Sequence, residues 1–144
     1  MANRSKRKGY RNEKGVAEYW SGIRLGTLGK EDVRHHVFSI ETKTKPKMPK
    51  RILAALLNRT GNFAFVEKVH AFVKKAYEQA KRNAPMDKTP IVVFHVDGTK
   101  HADDICFVKP HVCTYARDLK AMVDDGACGC GHDFAEPLQG GNGE

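Results

Sequence analysis

Two acidic residues and a lysine in the first third of the chain are spaced so that a β-hairpin can gather them. Glu41 and Lys43 stand two positions apart, so in a strand they share one face, while Phe38 and Ile40 take the other. Asp32 precedes them, with room for a short strand and a tight turn that would bring it alongside Glu41. We expect the apolar face to be buried and the Glu41–Lys43 pair to stay accessible.

This group of residue types indicates metal-assisted hydrolysis. Two carboxylates held close together repel each other unless a cation lies between them. Hard divalent ions such as Mg²⁺ favour oxygen ligands, and a neighbouring lysine can position or deprotonate a water molecule. The alternative interpretation is a solvated hairpin with ordinary surface charges.

Positive charge is concentrated in the half of the chain that holds this segment. The chain has 144 residues and a net charge of +8; residues 1–58 carry 14 Lys/Arg against 5 Asp/Glu, whereas residues 121–144 carry 5 acids and no Lys/Arg. A basic surface usually meets a polyanion, because each neutralised phosphate releases counterions. Nucleic acid is therefore the leading partner, and a basic protein kept soluble by its charge is the alternative.

The length predicts one domain with a sizeable core. We expect a flexible basic arm over residues 1–8, a folded domain over residues 9–125 and a glycine-rich acidic tail over residues 126–144. No run of signal-peptide type or membrane-spanning length is seen, which predicts a cytoplasmic protein without membrane contact. The four cysteines are then expected to be reduced thiols.

Hydrophobic periodicity predicts an α/β sandwich, with a mixed central β-sheet flanked by helices. A nearly continuous apolar run at residues 90–96 is typical of a strand covered on both faces. A further strand is expected at residues 104–109, and residues 24–30 read as a loop or a short strand. Helices are predicted at residues 10–21, 50–58, 63–83 and 114–124.

Glu13 is a further candidate for a site carboxylate. It stands four and seven residues before Ala17 and Trp20, so it lies near the inward side of the first predicted helix. Glu18 lies about 140° around that helix from Glu13 and is expected to face water. The alternative role for Glu13 is to stabilise the first helical turn through the helix dipole.

These residues resemble the PD-(D/E)xK nucleases, and more narrowly the small Holliday-junction-resolvase-like endonucleases of phages and archaea. The resemblance covers most of residues 8–109 and implies a restriction-endonuclease-like sandwich. Glu31 replaces the proline that names the motif, and it competes with Asp32 for the ligand position. The matching features occur in the family's order: Glu13 in the first helix, Asp32 in a second strand, Glu41-Thr42-Lys43 in a third, Gln79 in the next helix, and the buried strand at residues 91–96.

The resemblance also implies a role for each acid. Asp32 and Glu41 would bind a catalytic Mg²⁺ or Mn²⁺ ion, with the backbone carbonyl of Thr42 as a further ligand. Glu13 would complete the metal site, directly or through water. Such an ion favours hydrolysis of a phosphodiester because it offsets the charge that develops on the phosphate.

The remaining roles that the resemblance implies concern water and DNA. Lys43 would hold or activate the attacking water and stabilise charge on the phosphate, and Gln79 would position Lys43, the water or the DNA backbone. Phosphate contacts position DNA without reading its bases. The residues expected to make them are Arg4, Lys6, Arg7, Lys8, Arg11, Lys45 and Lys47.

The function that the resemblance implies is a metal-dependent DNA endonuclease that resolves Holliday junctions or other branched DNA as a homodimer. One alternative is a nuclease of the same fold that acts on duplex, flap or damaged DNA. The other is a DNA-binding protein that has kept the fold without the chemistry.

Histidines and cysteines outside these motifs allow one more metal site. A structural Zn²⁺ ion near the C-terminus is an alternative to a mobile tail whose thiols hold nothing, although the spacing within each ligand pair is short for zinc. His35 and His36 are expected to face DNA or solvent in the hairpin turn, and His95 and His101 to be structural or surface groups. The candidate zinc ligands are His111, Cys113, Cys128, Cys130 and His132.

Overall fold

The computed structural model describes residues 2–25 and 31–125 as an α/β fold. Four helices and seven strands make up this part of the chain. The helices are α1 (Ala2–Trp20), α2 (Lys50–Leu57), α3 (Ala71–Asn83) and α4 (Ala116–Asp125). The strands are β1 (Ile23–Arg24), β2 (Val33–Arg34), β3 (Phe38–Lys45), β4 (Ala64–Phe65), β5 (Thr89–Val96), β6 (Ile105–Lys109) and β7 (Val112–Tyr115).

All seven strands belong to one mixed sheet, in the order β1-β2-β3-β5-β6-β7-β4. Strands β1, β2 and β3 form an antiparallel meander, and β3 and β5 pair in parallel through their whole lengths. The remaining pairs are antiparallel. The predicted α/β class with a mixed central sheet is therefore confirmed.

Helices cover both faces of the sheet, which is why its central strands are apolar. On one face, Trp20 of α1 and Leu119 of α4 pack against residues such as Ile40 and Val93. On the other face, α2 and α3 pack against a second set that includes Phe94. Residues 91–94 are buried, as expected for a strand covered on both sides.

The first helix is longer than its periodicity predicts. It begins at Ala2 and not near residue 10, so the segment predicted as a separate basic arm is continuous with α1. Its end is set by Ser21, whose φ of 55° lies in the left-handed region. The backbone N–H of Gly22 donates to the carbonyl of Ala17 (2.8 Å), and Ser21 N–H donates to Glu18 (3.3 Å), a Schellman arrangement that satisfies the last carbonyls.

The predicted helix at residues 63–83 is wrong in its first third. Ala64 and Phe65 form strand β4, and α3 begins only at Ala71. The cause is a long-range pairing, since β4 lies antiparallel to β7 with Ala64 opposite Cys113. For the same reason α4 begins two positions later than predicted, because Thr114 belongs to β7.

The remaining predictions of elements are confirmed where the structure describes the residues concerned. Helix α2 and strands β5 and β6 lie where the sequence places them. The predicted tail at residues 126–144 and most of the glycine-containing segment at residues 24–30 lie outside the described residues. Within the described part of the chain, no helix is both long and apolar enough to span a membrane.

Candidate active site

The β2–β3 hairpin holds Asp32 against the middle of β3. Asp32 lies directly before β2, and its carbonyl accepts a hydrogen bond from the N–H of Leu25 (3.1 Å). Its carboxylate Oδ2 accepts two more, from the backbone N–H of Thr42 (2.9 Å) and from the Thr42 hydroxyl (3.2 Å). This places Asp32 beside the Glu41-Thr42-Lys43 triplet.

Glu41 is buried, with 3% of its surface exposed, so the prediction that it stays accessible is wrong. The physical reason is that α3 covers this face of β3. Its Oε1 is buried and has no hydrogen-bond partner among the described residues. Burial is the main cause that raises the pKa of Glu41 to about 7, and the negative charge of Asp32 is the second. Lys43 and Asn83 oppose this shift. Asn83 lies close to Glu41 without forming a hydrogen bond to its Oε1.

Lys43 stands between a carboxylate and an amide. Its Nζ donates to Oε1 of Gln79 on α3 (3.1 Å) and lies 3.7 Å from Oε2 of Glu41. More than a third of the Lys43 side chain remains exposed. The ammonium is therefore oriented by two partners and is still open to a molecule at the surface.

Glu13 on α1 is the third carboxylate of this group. Burial, and secondly the charge of Asp32, raise its pKa above the ordinary value, and Arg24 opposes that shift. Arg24 lies in β1, and its Nε is 3.2 Å from Oε1 of Glu13. The sequence carries no signal for this contact beyond the position of Arg24 before the hairpin.

The structure separates Asp32 from its competitor Glu31. The Glu31 side chain is buried and accepts a hydrogen bond from Nε of Arg34 (2.9 Å). Asp32 faces Thr42 and influences the pKa of both Glu13 and Glu41. Asp32 therefore lies within the carboxylate group, whereas Glu31 is used in a local ion pair.

Two predicted phosphate contacts have partners within the chain. Nζ of Lys8 pairs with Asp97 (3.0 Å), and Nζ of Lys45 lies 3.9 Å from the centre of the Phe72 ring. Arg7, Arg11 and Lys47 are exposed. The side chains of Arg4 and Lys6 lie outside the described part of the structure.

A cavity of about 270 Å³ opens beside the Lys43–Gln79 pair. Lys45 and Lys75 add two further cations to its wall, and Phe72 adds an aromatic ring. Lys75 carries no motif, so the sequence interpretation did not include it. Its position on the polar side of the predicted helix, four residues before Gln79, is the one sequence feature that places it near the site.

The expectation for His35 does not hold, whereas His95 and His101 have a structural contact, one of the two roles expected for them. His35 is buried, not solvated, and its Nδ1 accepts hydrogen bonds from the N–H groups of Val37 (3.0 Å) and Phe38 (3.4 Å). Burial is the main cause that lowers the pKa of His35 to about 4. His95 and His101, which carry no motif, meet at the buried carboxylate of Asp104.

The zinc ligands suggested for the C-terminus are only partly described. His111 is exposed, and Cys113 is fully buried in the core, where burial raises its pKa to about 12. Cys128, Cys130 and His132 lie outside the described residues. Cys106 is a buried core thiol, as predicted.

Comparisons with known proteins found no match to this chain, whether among family models, curated proteins or solved structures. The chemistry of the site is therefore judged from its own residues. Three carboxylates, an oriented ammonium and a buried oxygen without a donor can together hold a cation and present a proton donor to an anionic substrate.

Proposed function

We propose that this chain is a metal-dependent endodeoxyribonuclease of the PD-(D/E)xK type that acts on Holliday junctions or other branched DNA. The observation that carries the proposal is the environment of Glu41. Oε1 of Glu41 is buried and has no donor among the described residues. The negative charge of Asp32 repels that of Glu41, and the ammonium of Lys43 lies beside it. A site that needs a cation and holds an oriented lysine suits hydrolysis of a phosphodiester.

The order of elements supports a restriction-endonuclease-like core. A helix, a three-stranded antiparallel meander, a helix and a strand parallel to the third strand follow one another as α1, β1–β3, α3 and β5. Strand β4 and helix α2 lie within the connection between β3 and α3. The residues that carry the resemblance follow the same order, with Glu13 on α1, Glu41 and Lys43 on β3 and Gln79 on α3. Asp32 differs in that it lies directly before β2 and not within a strand.

The donor set fits a hard divalent ion. Asp32 and Glu41 would hold it through carboxylate oxygens, and the carbonyl of Thr42 and the carboxylate of Glu13 would serve as further oxygen donors. Because Glu13 is also paired with Arg24, its contribution is the weaker one. When bound, such an ion supplies positive charge that acidifies water and offsets charge on the phosphate.

Lys43 and Gln79 act together in this proposal. The amide oxygen of Gln79 accepts a hydrogen bond from Lys43 and so limits the rotamers of a long side chain. The remaining N–H groups of Lys43 can donate to the attacking water or to a phosphate oxygen. Lys43 thereby orients the nucleophile and stabilises the negative charge of the transition state.

DNA would lie across the basic surface next to this site. Lys45 and Lys75 line the neighbouring cavity, and Arg7 and Arg11 are exposed on α1. Contacts of this kind neutralise phosphates without reading bases, as suits an enzyme that selects DNA by its shape. The preference for branched DNA and the homodimer come from the family resemblance.

The proposal is tested by comparing cleavage of a four-way junction, a flap, a nicked duplex and a linear duplex in Mg²⁺. Paired symmetric nicks in the junction are expected. Asp32→Asn and Glu41→Gln should abolish cleavage and retain junction binding, whereas Glu31→Gln, the neighbouring buried acid, should retain cleavage in any preparation that folds. Full cleavage by the Asp32 or Glu41 variant would reject these two carboxylates as metal ligands. Preferential cleavage of the flap, nicked or linear duplex would show that this DNA, and not the four-way junction, is the substrate.

A further inference from the structure

A second group of ligand-type side chains lies where β5 turns into β6. His95 is near the end of β5, His101 begins a short 3-10 turn, and Asp104 follows that turn directly before β6. Nδ1 of His95 lies 2.7 Å from one carboxylate oxygen of Asp104, and Nδ1 of His101 lies 2.8 Å from the other. The two rings stack with centroids 4.3 Å apart, so both nitrogens converge on one carboxylate.

The backbone holds this group in place. The carbonyl of Asp104 accepts a hydrogen bond from the N–H of Ala116 in α4 (2.8 Å), and its N–H donates to the carbonyl of His101 (3.1 Å). Asp104 is completely buried. A carboxylate in such a place requires hydrogen bonds or a cation, and here two imidazoles face it from separate elements.

Helix α1 decides which nitrogen of His101 is free to bind. The far edge of the His101 ring packs on Gly15, where a Cβ atom would stand 2.2 Å from Nε2. Nε2 therefore faces α1, and Nδ1 is the nitrogen that faces the carboxylate. This close approach also explains a glycine in the middle of α1, where it is otherwise unfavourable.

The cavity next to the group offers one more oxygen donor. It has a volume of about 210 Å³, and its wall includes His95, His101 and Asn12. Asn12 is more than nine-tenths buried, and its Oδ1 has no hydrogen-bond partner within residues 2–25 and 31–125. A buried oxygen without a partner, in a wall shared with two imidazoles, is a candidate further ligand for a cation held by them.

We propose that His95, His101 and Asp104 form a second metal site, distinct from the Asp32–Glu41 group, that binds a transition-metal ion of the Zn²⁺ class with Asn12 as an additional donor. Two imidazole nitrogens and a carboxylate suit Zn²⁺ or Co²⁺, whereas Mg²⁺ favours oxygen ligands alone. In the neutral imidazoles the ring proton moves from Nδ1 to Nε2 on binding, so coordination needs no net loss of a proton.

Distances and charges are compatible with this ion. Zinc bonds of about 2.0–2.1 Å place neighbouring donors roughly 3.3 Å apart in a tetrahedral site, so the Nδ1 and carboxylate atoms would separate by about half an ångström. Lys8 and Arg11 also line the cavity. The charge of Lys8 is balanced by Asp97, with which it pairs, and the carboxylate of Asp104 would offset part of the charge of the ion itself. The ion would join β5, the turn and β6 beneath α1, which makes it a structural site.

The test is a titration of the metal-free full-length chain with Co²⁺ and Zn²⁺, followed by visible absorption, calorimetric stoichiometry and thermal unfolding. One equivalent of Co²⁺ should give a spectrum of nitrogen and oxygen ligands, and Zn²⁺ should raise the melting temperature until a chelator is added. His95→Gln and His101→Gln should each weaken binding at least about tenfold. His111→Gln, an exposed histidine outside the group, is the matched control and should bind normally.

Further variants separate this site from the other two candidates. Binding should persist in Asp32→Asn, so a failed nuclease assay leaves this inference intact. It should also persist in the double variant Cys128→Ser and Cys130→Ser, and the spectrum should lack a sulfur-to-cobalt band. Gly15→Ala retains all three ligands but should weaken binding by displacing the His101 ring. The site is refuted if wild-type protein binds no ion, if both histidine variants bind normally, or if the cysteine variant abolishes binding.

Discussion

Replacing Glu41 with glutamine should stabilise the metal-free protein above neutral pH and at the same time abolish cleavage. Glutamine keeps nearly the same volume and removes the charge. In the wild-type chain, burial and the charge of Asp32 raise the pKa of Glu41 from 4.5 to about 7. The folded protein is therefore penalised whenever this carboxylate is ionised.

The sign and size of the effect follow from proton linkage. Between pH 4.5 and about 7 the folded state retains a proton that the unfolded chain has released, so the free energy of unfolding falls as pH rises through this window. At about 1.4 kcal/mol for each pH unit, the loss amounts to about 3 kcal/mol above pH 7. The glutamine variant does not titrate, so it avoids this loss.

The assay is urea denaturation of both proteins at pH 5 and pH 8 in the presence of a chelator. The difference in unfolding free energy, variant minus wild type, should rise by about 2.5 kcal/mol between the two pH values, because a part of the total loss has already occurred at pH 5. Glu18→Gln makes the same chemical change on the exposed side of α1 and should leave that difference constant. Mg²⁺ at pH 8 should stabilise the wild type more than the variant, because it offsets the same buried charge.

A Glu41→Gln difference that stays constant between pH 5 and pH 8 would contradict a raised pKa for Glu41. It would mean that the Glu41 carboxylate is solvated or already paired in solution, which removes the main argument for a cation at this site. If Glu41→Gln stabilises the protein at pH 8 but Mg²⁺ has no effect on the wild type, the buried charge of Glu41 is supported and its role as a metal ligand is rejected.

Three other predictions follow from individual contacts. Gln79→Ala removes the hydrogen bond to Lys43 and should lower kcat about threefold to tenfold with little change in KM for DNA; a change confined to KM would contradict the positioning role. Because the pKa of His35 is lowered to about 4, the unfolded chain binds a proton at this residue at a higher pH than the folded chain does. The free energy of unfolding should therefore fall by about 3 kcal/mol as the pH is lowered from 6.5 to 4. His35→Asn keeps an acceptor for the turn and should flatten that dependence in urea denaturation. Replacing Arg7 and Arg11, the exposed arginines of α1, with alanine should reduce the slope of log binding constant against log salt by about 2 for duplex DNA, and an unchanged slope would exclude them from the interface.

Local pattern was sufficient for the hairpin and for the residues that it carries. Strand side chains alternate with a period of two, so the separation of Glu41 and Lys43 places both on one face wherever β3 lies in the sheet. The apolar run of β5 and the amphipathic pattern of α2 are equally local. These elements lie close to where the sequence predicts them.

Strands β4 and β7 escaped prediction because they form only through their pairing with each other and with β6. Two residues of β4 have no pattern of their own, and they are strand because Ala64 and Phe65 pair with β7. The apolar residues before α3 fit a helix equally well by periodicity. The pairing is formed by residues almost fifty positions apart, which no local window can include.

Residue types and their spacing were enough to identify the side chains suited to chemistry: two acids and a lysine on a hairpin, a further acid on the first helix, and a basic flank. The environment of these side chains, in contrast, depends on how the helices pack on the sheet. Packing of α3 buries Glu41 and aligns Gln79 with Lys43, and packing of α1 at Gly15 orients the His101 ring beside Asp104. Burial, pKa and the meeting of distant ligands depend on which elements pack together, and that information is distributed over the whole chain.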